Sequence, residues 1–226
     1  MQLYIGNKNY SSWSMRPWVL MREKGIDFEE VRVRFDAFTP DSAFKRTLAA
    51  LTPTGCVPVL VIDGLAVWDT LAIVETLAER HPDRGIWPES AAARARARSV
   101  CAEMHAGFGA LRSAMPMNIE ALLPEVGARL LSERADVRAD VARVLQLWDA
   151  LLQRSGGPLL CGPYSAVDAY YAPVAMRLRS YGVPVPPAID TYLERLSATE
   201  GVAAWVTDAL READFRPFEE PYRSAR

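Results

Sequence analysis

Histidine and cysteine are scarce: two and three residues in a chain of 226. Cys56, Cys101 and Cys161 are scattered and odd in number, which argues against a disulfide framework and for a reducing compartment, the cytoplasm. They show no paired Cys/His spacing, so no structural zinc and no other metal site is expected. No Cys-x-x-Cys occurs, so dithiol redox chemistry is not expected either. No charge of one sign dominates. The net charge is −2, which gives no electrostatic case for binding nucleic acid. No apolar run approaches the roughly 18 residues of a membrane span, so no membrane partner is expected. The opening MQLYIG reads as a strand, not a signal peptide. What the chain has in quantity is ordinary globular material: 50% hydrophobic and 24% charged residues, enough for one large or two small domains with a sizeable core.

The stretch from Leu51 to Thr76, LTPTGCVPVLVIDGLAVWDTLAIVET, organises the rest. Val57 to Ile62 is too short for a helix and rich in β-branched residues, so it reads as a strand. Asp63-Gly64 is a strong two-residue hairpin turn, and Leu65 to Val67 returns. Asp69-Thr70 then opens an amphipathic helix with Leu71, Ile73, Val74, Leu77 and Ala78 on its apolar face. The unpaired N–H groups and dipole of that helix N-terminus favour a carboxylate. Pro58 heads the strand, where proline is tolerated. If Val57-Pro58 is cis, the backbone of Val57 turns outward to pair with an extended peptide; general frequencies favour trans.

In chain order, Gln2 to Ile5 reads as a strand. Ser14 to Lys24 reads as a helix with Pro17 in its first turn and Gly25 at its end. Phe28 to Phe35 reads as a strand and Phe38 to Leu48 as a weak helix. His81 to Glu89, with two prolines and a glycine, is the linker candidate. Everything beyond it reads helical: Ala91 to Leu111, Glu133 to Gln153, a buried helix from Ala166 to Ser180, then Tyr192 to Leu196 and Val202 to Leu210. Pro116 and Pro124 bracket a kink or loop, and Gly156-Gly157-Pro158 is a stop. The fold class is therefore α+β followed by all-α. The boundaries are 1–80, a linker at 81–90, and a helical domain at 91–226.

Candidate site residues each carry a plainer alternative. A serine within YSSWSMR could cap the helix or donate a hydrogen bond to a ligand. Asp69 suits an N-cap, or Asp69 and Thr70 together could hold an amino-acid zwitterion, Thr70 on the carboxylate and Asp69 facing the ammonium. Ser165 and Asp168 fit a structural capping box that starts the buried helix. The stretch MHAGFGALRSAMPMN, from Met104 to Asn118, is either core or an adaptable apolar surface. Cys56 is either a small buried side chain or a thiol able to form a mixed disulfide.

YSSWSMR after the first strand, PTGCVPVL with its hairpin, WDT opening the next helix, and GPYSAVDAYYAPV in the helical half occur in an order that resembles the glutathione S-transferase superfamily over nearly the whole chain. The resemblance implies a thioredoxin-like N-terminal domain followed by an all-helical domain, a cis Pro58, and a cytosolic homodimer. Its co-substrate is glutathione, with Cys56, Val57, Pro58, Asp69 and Thr70 on the tripeptide. It implies a thiolate-stabilising hydroxyl at Ser11 or Ser12, which must shift a thiol from near pKa 8.5 by about two units, roughly 2.7 kcal/mol. A charge-assisted hydrogen bond plus a helix N-terminus is of that size. A hydrophobic co-substrate site between the domains is expected over Trp13, Met104, His105, Phe108 and Met115. Measured back from Arg16, the motif is similar to the S-S-C-S-W-R of the zeta class, which includes maleylacetoacetate isomerases; Trp13 stands at its cysteine. Cys56 stands where many relatives carry Lys or Gln. The expected activity is conjugation of the glutathione thiolate to a small hydrophobic electrophile. The alternatives are glutathione-dependent isomerisation of the maleylacetoacetate type and a non-catalytic binding module.

Overall fold

The computed structural model describes residues 1–226. Strands β1 (Gln2–Ile5), β2 (Glu29–Arg32), β3 (Val59–Ile62) and β4 (Leu65–Trp68) form one sheet in the order β2-β1-β3-β4. β1 and β2 are parallel, joined through helix α1 (Ser12–Glu23), with Gln2 opposite Glu29 and Ile5 opposite Arg32. β3 runs antiparallel to β1 and pairs with β4 through the Asp63-Gly64 turn. Both turn residues have positive φ, 51° and 81°, as the tight turn demanded by strand twist requires. Helices α2 (Ala43–Ala49) and α3 (Thr70–Arg80) complete this half.

The remainder is helical: α4 (Ala91–Ala106), α5 (Gly109–Ala114), α6 (Pro124–Glu133), α7 (Ala135–Ser155), α8 (Ala166–Ser180), α9 (Pro187–Ser197) and α10 (Glu200–Glu212). No helix is long and apolar enough to cross a membrane. The main core runs through both halves, because α1 packs against α8 and α10 as well as against the sheet. Leu3, Ile5, Leu60 and Ile62 put one face of the sheet into it. Val59 faces a smaller core with Tyr10, Val33, Phe35, Phe44 and Leu48. Gly201 permits the α10–α1 approach: a Cβ there would lie 2.4 Å from the Val19 carbonyl oxygen.

The elements depart from the sequence expectations at several ends. β2 stops at Arg32, although Val33 and Phe35 are buried beyond it; their apolarity serves the small core, not a longer ladder. β3 starts at Val59, after the proline. The helix expected to reach Leu111 breaks at Gly107–Phe108. Phe108 sits at φ 56° with its ring in the core, so burial of the ring holds a backbone geometry that sequence periodicity does not reveal. α6 was not expected; it occupies the segment after Pro124, which serves as its first residue. α1 begins at Ser12, so Pro17 lies inside the helix. Its missing N–H frees the Trp13 carbonyl, which accepts a bond from Thr70 Oγ1 at 3.4 Å. That contact ties the start of α1 to the start of α3.

Candidate active site

The N-termini of α1 and α3 and the β3 approach converge on a cleft with three adjoining cavities, and Trp13 lines all of them. The first, about 280 Å³, is walled by Thr54, Cys56, Val57, Pro58, Trp68, Asp69, Thr70 and His105. The Val57-Pro58 bond is cis, and neither the N–H nor the carbonyl of Val57 bonds to another backbone group. The first turn of α3 leaves the Thr70 N–H without an intrahelical acceptor. Asp69, at φ 73°, caps α3 by accepting from the Leu71 N–H at 2.9 Å through Oδ1. Its Oδ2 lies 3.3 Å from His105 Nε2. An extended peptide with a carboxylate and an ammonium at one end fits this set: a free backbone edge, an open helix N-terminus and an adjacent acid. The Thr70 hydroxyl, however, is directed at the Trp13 carbonyl, so the carboxylate position falls to the backbone N–H.

The second cavity, about 340 Å³, joins Tyr10, Ser11, Ser12, Phe35, Phe38, Phe44, Lys45, Cys56, Val57 and Glu219. Lys45 was not foreseen. It donates to the Gly55 carbonyl at 2.8 Å and stands 3.7 Å from Cys56 Sγ, which places a cation from α2 beside position 56. Cys56 itself is exposed, while Cys101 and Cys161 are held as neutral thiols by burial, the latter pushed up to about 11.

The two candidate serines differ. Ser11, the N-cap of α1, makes no side-chain cap bond. Its hydroxyl is buried and donates to Ser14 Oγ at 2.7 Å, which accepts in turn from the Gly6 N–H at 3.2 Å. Gly6 is required there: a Cβ would sit 2.3 Å from the Phe35 ring. Ser12 Oγ accepts from Arg177 Nη2 at 3.2 Å. A guanidinium only donates, so the Ser12 proton remains available to the cleft.

The third cavity, about 380 Å³, is polar: Tyr10, Ser12, Trp13, Gly109, Arg112, Ser113, Pro116, Met117, Arg177 and Glu219. Arg177 Nε donates to the Met115 carbonyl at 2.8 Å and Arg16 Nε to the Tyr170 carbonyl at 3.0 Å. Arg16 and Arg112 lie 4.1 and 4.8 Å from the Trp13 ring centre. Burial, followed by repulsion from Arg177, lowers Arg16 to about 9; burial, followed by Arg112, lowers Arg177 to about 10. Arg112 is lowered by burial as well. No carboxylate stands among the charges acting on these three groups. Buried cations without a partner are costly, and an anionic ligand is the natural compensation.

The expected hydrophobic co-substrate surface is corrected by this arrangement. Met104, Phe108 and Met115 are packed into the main core, at 0, 6 and 0% exposure, and line none of the three cavities. A methionine and aromatic stripe at helical spacing met core partners, as such stripes do. Trp13 and His105 do face the cleft, and the apolar wall comes from Phe35, Phe38 and Phe44 instead. Arg16 and Arg177 carried a legible signal: each is an arginine inside an otherwise buried helix stretch. Ser165 and Asp168 sit away from the cleft and form a complete capping box.

The family model for the glutathione S-transferase N-terminal domain matches residues 10–80, and that for the C-terminal domain matches residues 91–208. The chain belongs to the glutathione S-transferase family. It is 25% identical to the maleylacetoacetate isomerase of Rattus norvegicus over 186 residues, 82% of this chain and 81% of that one. It is 31% identical to a probable maleylacetoacetate isomerase of Caenorhabditis elegans over 111 residues, spanning 49% of each. Among solved structures, a Burkholderia glutathione transferase homolog with bound glutathione superposes with a TM-score of 0.69 at 25% identity, covering 94% of this chain and 98% of that one.

Proposed function

We propose that the protein is a glutathione-dependent isomerase of a small, unsaturated, anionic diketo acid, of the maleylacetoacetate type. The observation that carries this reading is that Arg112 and Arg177 line the polar cavity with Ser12 and Trp13, backed by the buried Arg16, and that none of the three forms an ion pair; the one carboxylate of that cavity is Glu219. A site for a neutral, hydrophobic electrophile has no use for that charge. The isomerase relatives support the same choice over conjugation, the activity expected first from the sequence.

In this reading Val57 pairs its backbone with the tripeptide, the Thr70 N–H receives the γ-glutamyl carboxylate, Asp69 faces its ammonium, and Lys45 neutralises the glycine end beside Cys56. Bound glutathione would supply a thiolate that adds reversibly to a conjugated double bond, so that the bond can rotate. The Ser12 hydroxyl, polarised by Arg177, donates a hydrogen bond to the sulfur and holds it as the anion. Arg177 and Arg112 orient the substrate carboxylate and stabilise negative charge that develops on its carbonyl oxygens. The Trp13 ring and the phenylalanine wall exclude water.

The test is a direct assay with maleylacetoacetate. Glutathione-dependent cis–trans isomerisation faster than conjugation of a neutral aryl halide is expected. Conjugation of the halide with no isomerisation would return the protein to the transferase reading, and neither activity to that of a binding module.

A further inference from the structure

Residues 213–226 lie beyond the segment matched by the family model, which ends at 208. They return from α10 across the N-terminal half and close one side of the cleft. The strap is fastened at several points. Asp214 accepts from Asn7 and Arg34. Phe218 packs edge-on against Phe38, ring centres 5.4 Å apart. Glu220 is buried and accepts from Tyr10 Oη at 2.7 Å and Asn118 Nδ2 at 2.8 Å, and is paired with Arg223. Tyr222 donates to the Ala114 carbonyl at 2.8 Å. These contacts hold the short 3-10 turn Pro217–Glu219 in place and project Glu219 between the second and third cavities, both of which it lines with Ser12.

Glu219 is the only carboxylate lining either of those two cavities. The other ionisable groups around it are poor proton acceptors at neutral pH. Lys45 from α2, Arg112 from α5 and Arg177 from α8 are cations. Tyr10 already donates to Glu220 and is pushed up by burial. Glu220, the neighbour in the strap, is committed to three partners and held low by Arg223 and Tyr10 against its burial. Cys56 lines the second cavity beside Lys45.

We propose that Glu219 is the proton acceptor for the thiol of bound glutathione. The S–H bond breaks with its electron pair left on sulfur, where Ser12 stabilises it. The proton forms an O–H bond on the Glu219 carboxylate and returns to sulfur when the tripeptide leaves. This deepens the isomerase reading and rests on its glutathione site. Burial, with Glu220 adding to it, pushes the Glu219 carboxyl up to about 7, and a thiolate arriving beside it raises its proton affinity further.

The test is calorimetry of glutathione binding to the full chain and to Glu219→Gln at about pH 7.5, near the carboxyl's own range. Buffers of different ionisation enthalpy give the protons released, and ultraviolet absorbance counts the thiolate formed. Wild-type protein should release well under half a proton per thiolate, the variant close to one, and Glu219→Asp should restore most of the retention. The rising limb of the kcat/KM pH profile near neutrality should disappear in Glu219→Gln. Equal proton release per thiolate in wild type and variant overturns the role of Glu219 and leaves the glutathione site standing. Absence of binding heat in both overturns the site and this inference with it.

Discussion

Four helices of this protein take serine at the N-cap, and two of them, α8 and α1, begin differently. At the start of α8, Asp168 accepts from the Leu160 N–H at 3.1 Å, the Ser165 N–H at 2.9 Å and the Ser165 hydroxyl at 3.2 Å, while Ser165 Oγ accepts from the Val167 N–H. Each of those donors has an acceptor, and Asp168 is fully buried. At the start of α1, Ser11 makes no side-chain cap bond, Ser12 keeps its proton free, and the neighbouring Arg177 guanidinium forms no ion pair. The closed terminus is a fastening. The open one, beside a cleft, has the donors and positive charge that a ligand can use. Serine at a helix start therefore means little until its partners are counted.

The comparison can be broken first at α8. Asp168→Ala orphans three donors, two of them backbone, and should cost roughly 2–3 kcal/mol, measured by urea unfolding at neutral pH. Burial raises the Asp168 carboxyl to about 6. A group raised in the folded state stabilises fully below its unfolded range and loses that contribution as pH rises through the folded value. The gap between wild type and variant should thus be widest near pH 4 and narrow by about pH 6. A gap that widens over that window would mean that the three donors outweigh burial and would contradict the raised carboxyl.

The arginines sharpen the contrast from the other side. Arg177→Met should lower kcat/KM for the diketo acid by about 10- to 150-fold, the value of a hydrogen bond to a charged group, about 1.5–3 kcal/mol. Its unfolding free energy should change little, since relief of a buried cation without an ion pair offsets the Met115 carbonyl left without its donor. Steady-state kinetics beside urea unfolding separates the two. A loss of stability without loss of turnover would make Arg177 a second fastening.

How far the sequence could be read follows from whether a feature is local. The Asp63-Gly64 turn, the Ser165–Asp168 box and the start of α3 at Asp69-Thr70 each lie within four residues, and the chain shows them directly. The cis Pro58 is not local in that sense; it came from resemblance alone, and the structure has it. The polar cavity as a whole was not legible, because Ser12, Arg112 and Arg177 come from α1, α5 and α8 and meet only through packing. Arg112 depends on the break at Gly107–Phe108, which ring burial sets. Met104, Phe108 and Met115 misled because composition does not tell a pocket wall from a core. Glu219 gave no sign at all, since a strap has no periodicity and its meaning lies in what it crosses.

Ultraviolet titration of the bound glutathione thiol in wild type, Ser12→Ala and Ser11→Ala tests the open-terminus claim most directly. Loss of the Ser12 donor should raise the thiol pKa by about one unit or more, the equivalent of about 1.4 kcal/mol, while Ser11→Ala, whose hydroxyl is spent on Ser14, should leave it nearly unchanged. An unchanged thiol in Ser12→Ala, or the larger shift in Ser11→Ala, would contradict the account.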